Sequence, residues 1–133
     1  MGRISVAPVV KGGFSLAVAE EPQTAGEPVL VRFSGNADME ATPVLEVYLK
    51  KLHAELLRAK VRAVAFDVTE LDFMNSSSFK CFVSWIGWVT KLPAEDRYDV
   101  RFVNNPLLQW QRRSLEALHR FAPEIVSLEH PAR

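Results

Sequence analysis

Cysteine is nearly absent from this sequence. Cys81 is the single one among 133 residues, so no internal disulfide can form and a reducing compartment is expected. A phosphate-cradling loop is missing too, since the six glycines form neither G-x-G-x-x-G nor a Walker pattern. Net charge is zero, with 16 basic residues against 16 acidic ones. That balance excludes an overall field for nucleic acid or anionic membranes and leaves only a local patch open. No apolar run is long enough to span a bilayer. The stretch Val6-Ala7-Pro8-Val9-Val10 is short and broken by proline, so the N-terminus does not read as a secretion signal. Gly2 lacks the Ser or Thr that myristoylation wants at position 6, where Val6 stands. His53, His119 and His130 are scattered; no Cys/His spacing suggests zinc, and each reads as a surface residue. These absences predict a cytoplasmic protein with no cofactor, no metal, no membrane contact and no direct nucleic-acid partner.

What is present is ordinary globular composition: 48% hydrophobic and 24% charged residues, enough for one domain with a core. Residues 1–12 read as a loose arm, 13–129 as the domain and 130–133 as a polar tail. Phe14, Leu16 and Val18 alternate as a strand over 14–19, and two prolines and a glycine make 20–28 a loop. A second strand over 29–33 is expected to pair with the first antiparallel. Gly35 to Asp38 reads as a turn. Thr42-Pro43 then opens a helix over 43–60, with proline at its first position. Leu45, Leu49, Leu52 and Leu56 point inward there, while Glu46, Lys50, Lys51 and Arg58 face away.

The third strand, 61–68, has Val64, Phe66 and Val68 on one face and Ala63 and Ala65 on the other, which predicts cover on both sides. A second helix, 76–92, carries two apolar stripes. Phe79, Phe82, Val83, Ile86 and Val89 form one; Cys81, Trp85, Trp88 and Leu92 form another, roughly 130° around the helix. The second stripe suits either cover by flanking helices or a partner surface, and at least one of Trp85 and Trp88 is expected to be exposed. A fourth strand spans 98–103. A third helix, 106–121, starts at Asn105-Pro106, with Leu108, Leu115, Leu118 and Phe121 inward and Arg112, Arg113 and Arg120 on a solvated face. Residues 125–128 suit a short edge strand. The alternation predicts an α/β fold: a mixed, mostly parallel sheet of four to five strands with helices packed mainly on one face.

The chain turns on the junction between third strand and second helix. Three consecutive hydroxyls, Ser76, Ser77 and Ser78, sit where the helix begins. A serine there can cap the helix, and the same helix end suits an anion such as phosphate. The bland alternative is that the serines only cap and turn. Asp67, Glu70 and Asp72 before them read as a solvated turn. Ser76 lies outside any G-x-S-x-G elbow and has no histidine nearby in sequence, so a serine hydrolase needs a distant base such as His119.

The order of elements and this junction resemble a STAS domain, the family of anti-sigma factor antagonists. The strand end Phe66-Asp67-Val68-Thr69 and the motif Phe73-Met74-Asn75-Ser76-Ser77-Ser78-Phe79 carry the resemblance. Gly35 to Asp38 matches the family's Gly-x-x-Asp turn, and Asn105-Pro106 resembles its last long helix start. The resemblance implies a binding switch and not an enzyme. It implies binding to an ATP-dependent serine kinase that doubles as an anti-sigma factor, phosphorylation of Ser76 (with Ser77 and Ser78 as fallback acceptors) and reversal by a phosphatase. Asp38, Asn75, Ser76, Ser77, Ser78, Phe79, Trp85 and Trp88 are the expected partner surface, which also allows a homodimer. Two residues depart from the motif: Asn75 replaces an aspartate and Ser78 a glycine. The alternative function is a constitutive STAS scaffold or small-ligand sensor that is never phosphorylated.

Overall fold

A computed structural model of the chain describes residue 4 and residues 6–19 and 28–129. The expected tail lies outside them, as does most of the expected loop at 20–28. Six strands form one sheet whose spatial order is the chain order: β1 (Val9–Lys11), β2 (Phe14–Val18), β3 (Val29–Ala37), β4 (Ala63–Met74), β5 (Asp99–Val103) and β6 (Val126–Glu129). The first three pair antiparallel and the rest parallel, so the sheet is mixed, with one strand more than expected. The extra strand is β1, in the stretch expected as a loose arm; Val9 to Lys11 fold back on Leu16 to Phe14 across Gly12 and Gly13.

Three helices complete the fold: α1 (Ala41–Arg58), α2 (Ser76–Thr90) and α3 (Gln109–Phe121). Side chains alternate across each strand, so residues in register share a face. Val31, Phe66, Phe102 and Leu128 line up on one face. There Phe66 stacks on Trp85 of α2 at 4.5 Å between ring centroids. Leu45, Leu49, Leu52 and Leu56 of α1 and Leu115 and Leu118 of α3 join the same core. Arg32, Asp67, Val103 and Glu129 line up on the opposite face, which is polar. The two-sided cover expected for the third strand is therefore corrected: Ala63 and Ala65 are small residues recessed among longer in-register neighbours such as Leu30 and Arg101.

The third strand runs over Ala63–Met74 and not 61–68, α2 ends at Thr90 and not Leu92, and three further boundaries move for local reasons. Gly35 is not a turn residue, because β3 runs on to Ala37. Its φ is +90°, and a Cβ there would lie 1.7 Å from the carbonyl oxygen of Gly13, so the position needs glycine for a close cross-strand approach. Helix α1 begins two residues before Pro43, which the first turn tolerates because an N–H at that position would have no helical partner, so a residue lacking one fits. Helix α3 begins later than Asn105-Pro106. Asn105 Oδ1 accepts from the Leu107 N–H at 3.0 Å and its carbonyl accepts from Leu108 at 3.0 Å, so the pair forms a turn that precedes the helix. Phe121, expected inward, is exposed at the end of α3. No helix among the described residues is long and apolar enough to cross a membrane.

Candidate functional site

Strand β4 delivers the chain to the start of α2. Asn75 leaves it extended, with φ −76° and ψ 169°, and its side chain caps the helix: Oδ1 accepts from the Ser78 N–H at 2.8 Å. The Asn75 carbonyl accepts from Phe79, and its own N–H donates to the Ala37 carbonyl at 2.9 Å. The cap is thus Asn75, not a serine. Ser76 and Ser77, the first two helical residues, are exposed.

Ser78 differs from its two neighbours. It is fully buried; its hydroxyl pairs with that of Thr42 at 2.8 Å and lies 3.5 Å from the Asp38 carbonyl. It ties the starts of α1 and α2 together and is corrected as a surface acceptor. Asp38 is exposed, and its carboxylate accepts from the Glu40 N–H at 3.1 Å, shaping the entry to α1. Phe79 is half-buried and meets Phe82 edge-on. Asp38, Asn75, Ser76, Ser77, Ser78 and Phe79 therefore do converge. Met39 and Phe73 are exposed apolar residues adjoining this segment.

The tryptophans do not belong to this convergence. Trp85 is fully buried: its indole stacks on Phe66 and donates to the Tyr98 hydroxyl at 2.9 Å. Trp88 is half-buried against the His53 ring. The expectation of an exposed tryptophan is corrected, because His53 of α1, Phe66 of β4 and Tyr98 close over that stripe. His53 is no plain surface residue either, since its Nδ1 pairs with the Tyr98 hydroxyl at 2.5 Å. Burial lowers the His53 pKa, and burial outweighs the Trp85 hydrogen bond in raising that of Tyr98.

Hydrolytic chemistry finds little support here. Nδ1 of His119 faces the Val126 carbonyl at 2.6 Å, and no described histidine hydrogen-bonds Ser76. Burial, then the charge of Glu46, raise the Cys81 pKa and keep its thiol protonated. Among the described residues no group of three or more acidic, histidine or cysteine side chains is placed to hold a metal. Asp67, Glu70 and Asp72 lie within β4 and not in a turn; Asp67 Oδ1 accepts from both the N–H and the hydroxyl of Thr69.

The sequence reading missed three residues beside the site. Asn105, Trp110 and Gln111 donate to backbone carbonyls of β4. Gln111 carried a signal: it sits on the apolar stripe of α3 between Leu108 and Leu115, and a polar residue at a core position needs partners.

A mixed sheet in an α/β fold leads into an exposed serine pair at a capped helix start. The chain matches the solved structure of an anti-sigma factor antagonist from Mycobacterium paratuberculosis, with a TM-score of 0.57 and 18% identity over 90% of this chain and 86% of that one. That likeness establishes the fold. No family model and no curated protein matches the chain.

Proposed function

We propose that this chain is a phosphorylation-controlled partner-switching regulator. Unphosphorylated, it binds an ATP-dependent serine kinase that acts as an anti-sigma factor; phosphorylation of Ser76 releases that partner, and a phosphatase restores binding. The observation that carries the reading is the exposed Ser76 at the first position of α2, beside a cap that does not use its hydroxyl. Asp38, Asn75, Ser77 and Phe79 surround the acceptor in the contact surface.

The electrostatics separate fold from binding. Phosphate adds about −1.5 to −2 charge at pH 7. The first turn of α2 holds no acidic residue, and its N–H groups and dipole favour an anion. The fold therefore tolerates the modification. A partner packed on Phe79, Phe73 and Met39 does not, because the dianion must be desolvated beside apolar surface. A loss of about 2.7 kcal/mol weakens binding roughly a hundredfold.

The test compares Ser76→Asp and Ser76→Ala for binding to a kinase-like partner, with circular dichroism as the folding control. Ser76→Asp is expected to stay folded and lose about a hundredfold in affinity, while Ser76→Ala binds. After kinase treatment, mass spectrometry is expected to place phosphate on Ser76. Unchanged binding of Ser76→Asp together with an unmodified Ser76 replaces this reading with a constitutive scaffold or small-ligand sensor. A cleft of about 410 Å³, lined in part by Arg32, Ser34, Asp67, Thr69 and Glu70, favours the sensor as that second reading.

A further inference from the structure

Strand β4 outruns its neighbour. Its pairing with β5 ends at Asp67 opposite Val103, yet the strand continues to Met74. On the other side Arg32 pairs with Asp67 but Ala37 pairs with Met74, so β4 holds two residues more than β3 over the same span. Such bulges leave backbone groups outside the ladder, and those carbonyls need donors from elsewhere.

The donors come from the start of α3. Gln111 Nε2 donates to the carbonyls of Val68 at 2.6 Å and Leu71 at 3.0 Å. Asn105 Nδ2 donates to Thr69 at 3.1 Å, and Trp110 Nε1 to Asp72 at 2.8 Å. Gln111 is fully buried, and its Oε1 accepts from the Asn105 N–H at 2.8 Å, so the side chains that hold β4 are themselves held. They take the place that a neighbouring strand vacates. The last clamped carbonyl, that of Asp72, precedes the Asn75 cap by three residues and Ser76 by four.

We infer that Asn105, Trp110 and Gln111 are positioning residues for the Ser76 site. They fix the bulged end of β4, and that end sets where Asn75 caps α2 and how Ser76 and Ser77 are presented. The inference rests on the reading of Ser76 as the switch residue, and its geometry is testable without any partner. Coupling of this kind is reciprocal: what the clamp does to Ser76, a charge at Ser76 does to the clamp.

The experiment is residue-resolved amide hydrogen exchange on the full chain. Trp110→Phe keeps an aromatic ring and removes one donor. The amides of Asn75, Ser78 and Phe79 are expected to exchange about fivefold faster, the equilibrium value of one net hydrogen bond. The amide of Asp99, bonded to the Arg62 carbonyl at the far end of the same strands, is expected not to change. Gln111→Leu removes three hydrogen bonds and is expected to exceed that effect where it folds; Trp110→Phe carries the test alone where it does not. In the reverse direction, Ser76→Asp is expected to shift the indole N–H resonance of Trp110 and leave that of Trp85 in place. Unchanged exchange at Asn75, Ser78 and Phe79 overturns the inference, as does an equal acceleration at Asp99 or an unmoved Trp110 indole. A Ser76 that never accepts phosphate defeats the switch reading and leaves these exchange results standing, so the two failures are distinguishable.

Discussion

Single residues at the start of α2 divide the work of folding and presentation. Asn75 caps, Ser78 ties, and Ser76 and Ser77 remain exposed. Asn75→Ala is expected to cost about 1 kcal/mol in urea denaturation through loss of the cap. Asn75→Asp keeps an accepting oxygen and adds charge at the positive helix end, so its stability is expected within a few tenths of a kcal/mol of wild type. That variant separates the cap's two roles, since any change it makes in phosphorylation arises from charge beside the acceptor. Ser78→Ala removes the bond to Thr42 and is expected to cost about 1 kcal/mol by the same measurement. Trp85→Ala is expected to cost about 3–5 kcal/mol, because the indole fills the core and bonds Tyr98. Trp88→Ala is expected to cost less, as its ring is only half-buried. The three serines were legible as a helix start and an anion-tolerant end. Which of them turns inward was not legible, because that depends on Thr42 approaching from another helix.

At the scale of elements, α1, α2 and the residue before β5 meet in a chain of polar contacts inside apolar packing. Trp85 donates to the Tyr98 hydroxyl, which leaves that hydroxyl's proton for Nδ1 of a neutral His53. Burial holds the His53 pKa below its usual 6.5. On acidification the unfolded chain binds this proton first, so stability falls as pH drops below about 6.5 and is complete above it. Thermal melts between about pH 5.5 and 7.5 are expected to show that fall, and His53→Gln is expected to flatten it. The helices themselves were legible from apolar spacing, by leucines in α1 and α3 and by Phe79, Phe82, Val83, Ile86 and Val89 in α2, and every strand but β1 from its apolar pattern. Their joints were less so. The bulges of β4 and the late start of α3 are set by the carbonyls that Asn105, Trp110 and Gln111 reach, and those contacts span more than thirty residues. A local pattern carries only one side of such a bond. Gln111 on an apolar stripe was that one visible side.

For the molecule as a whole, the mixed sheet with helices on one face follows from strand–helix alternation and from polar residues such as Ser15, Arg32, Ser34, Asp67, Asp99 and Arg101 on the other face. The stretch expected as an arm joined the sheet because Gly12 and Gly13 make its hairpin and Gly35 allows the close approach beside it. The chain-order arrangement of the six strands has a consequence for how the molecule is made. A chain emerging from the ribosome adds each new strand to the outer edge of the one before, so folding is able to follow synthesis without waiting for a distant partner. The cost is that every intermediate length ends in an open edge, which invites pairing with another chain. A chain stopped after β5 is still exposed, for it lacks both β6 and the α3 side chains that satisfy the β4 carbonyls. Chains ending near residue 104 are expected to aggregate at concentrations where the full chain stays dispersed, as light scattering during refolding will read. On this view the last quarter of the sequence satisfies what the earlier strands leave open as much as it adds to the core, and translation pauses before it leave the nascent protein adhesive.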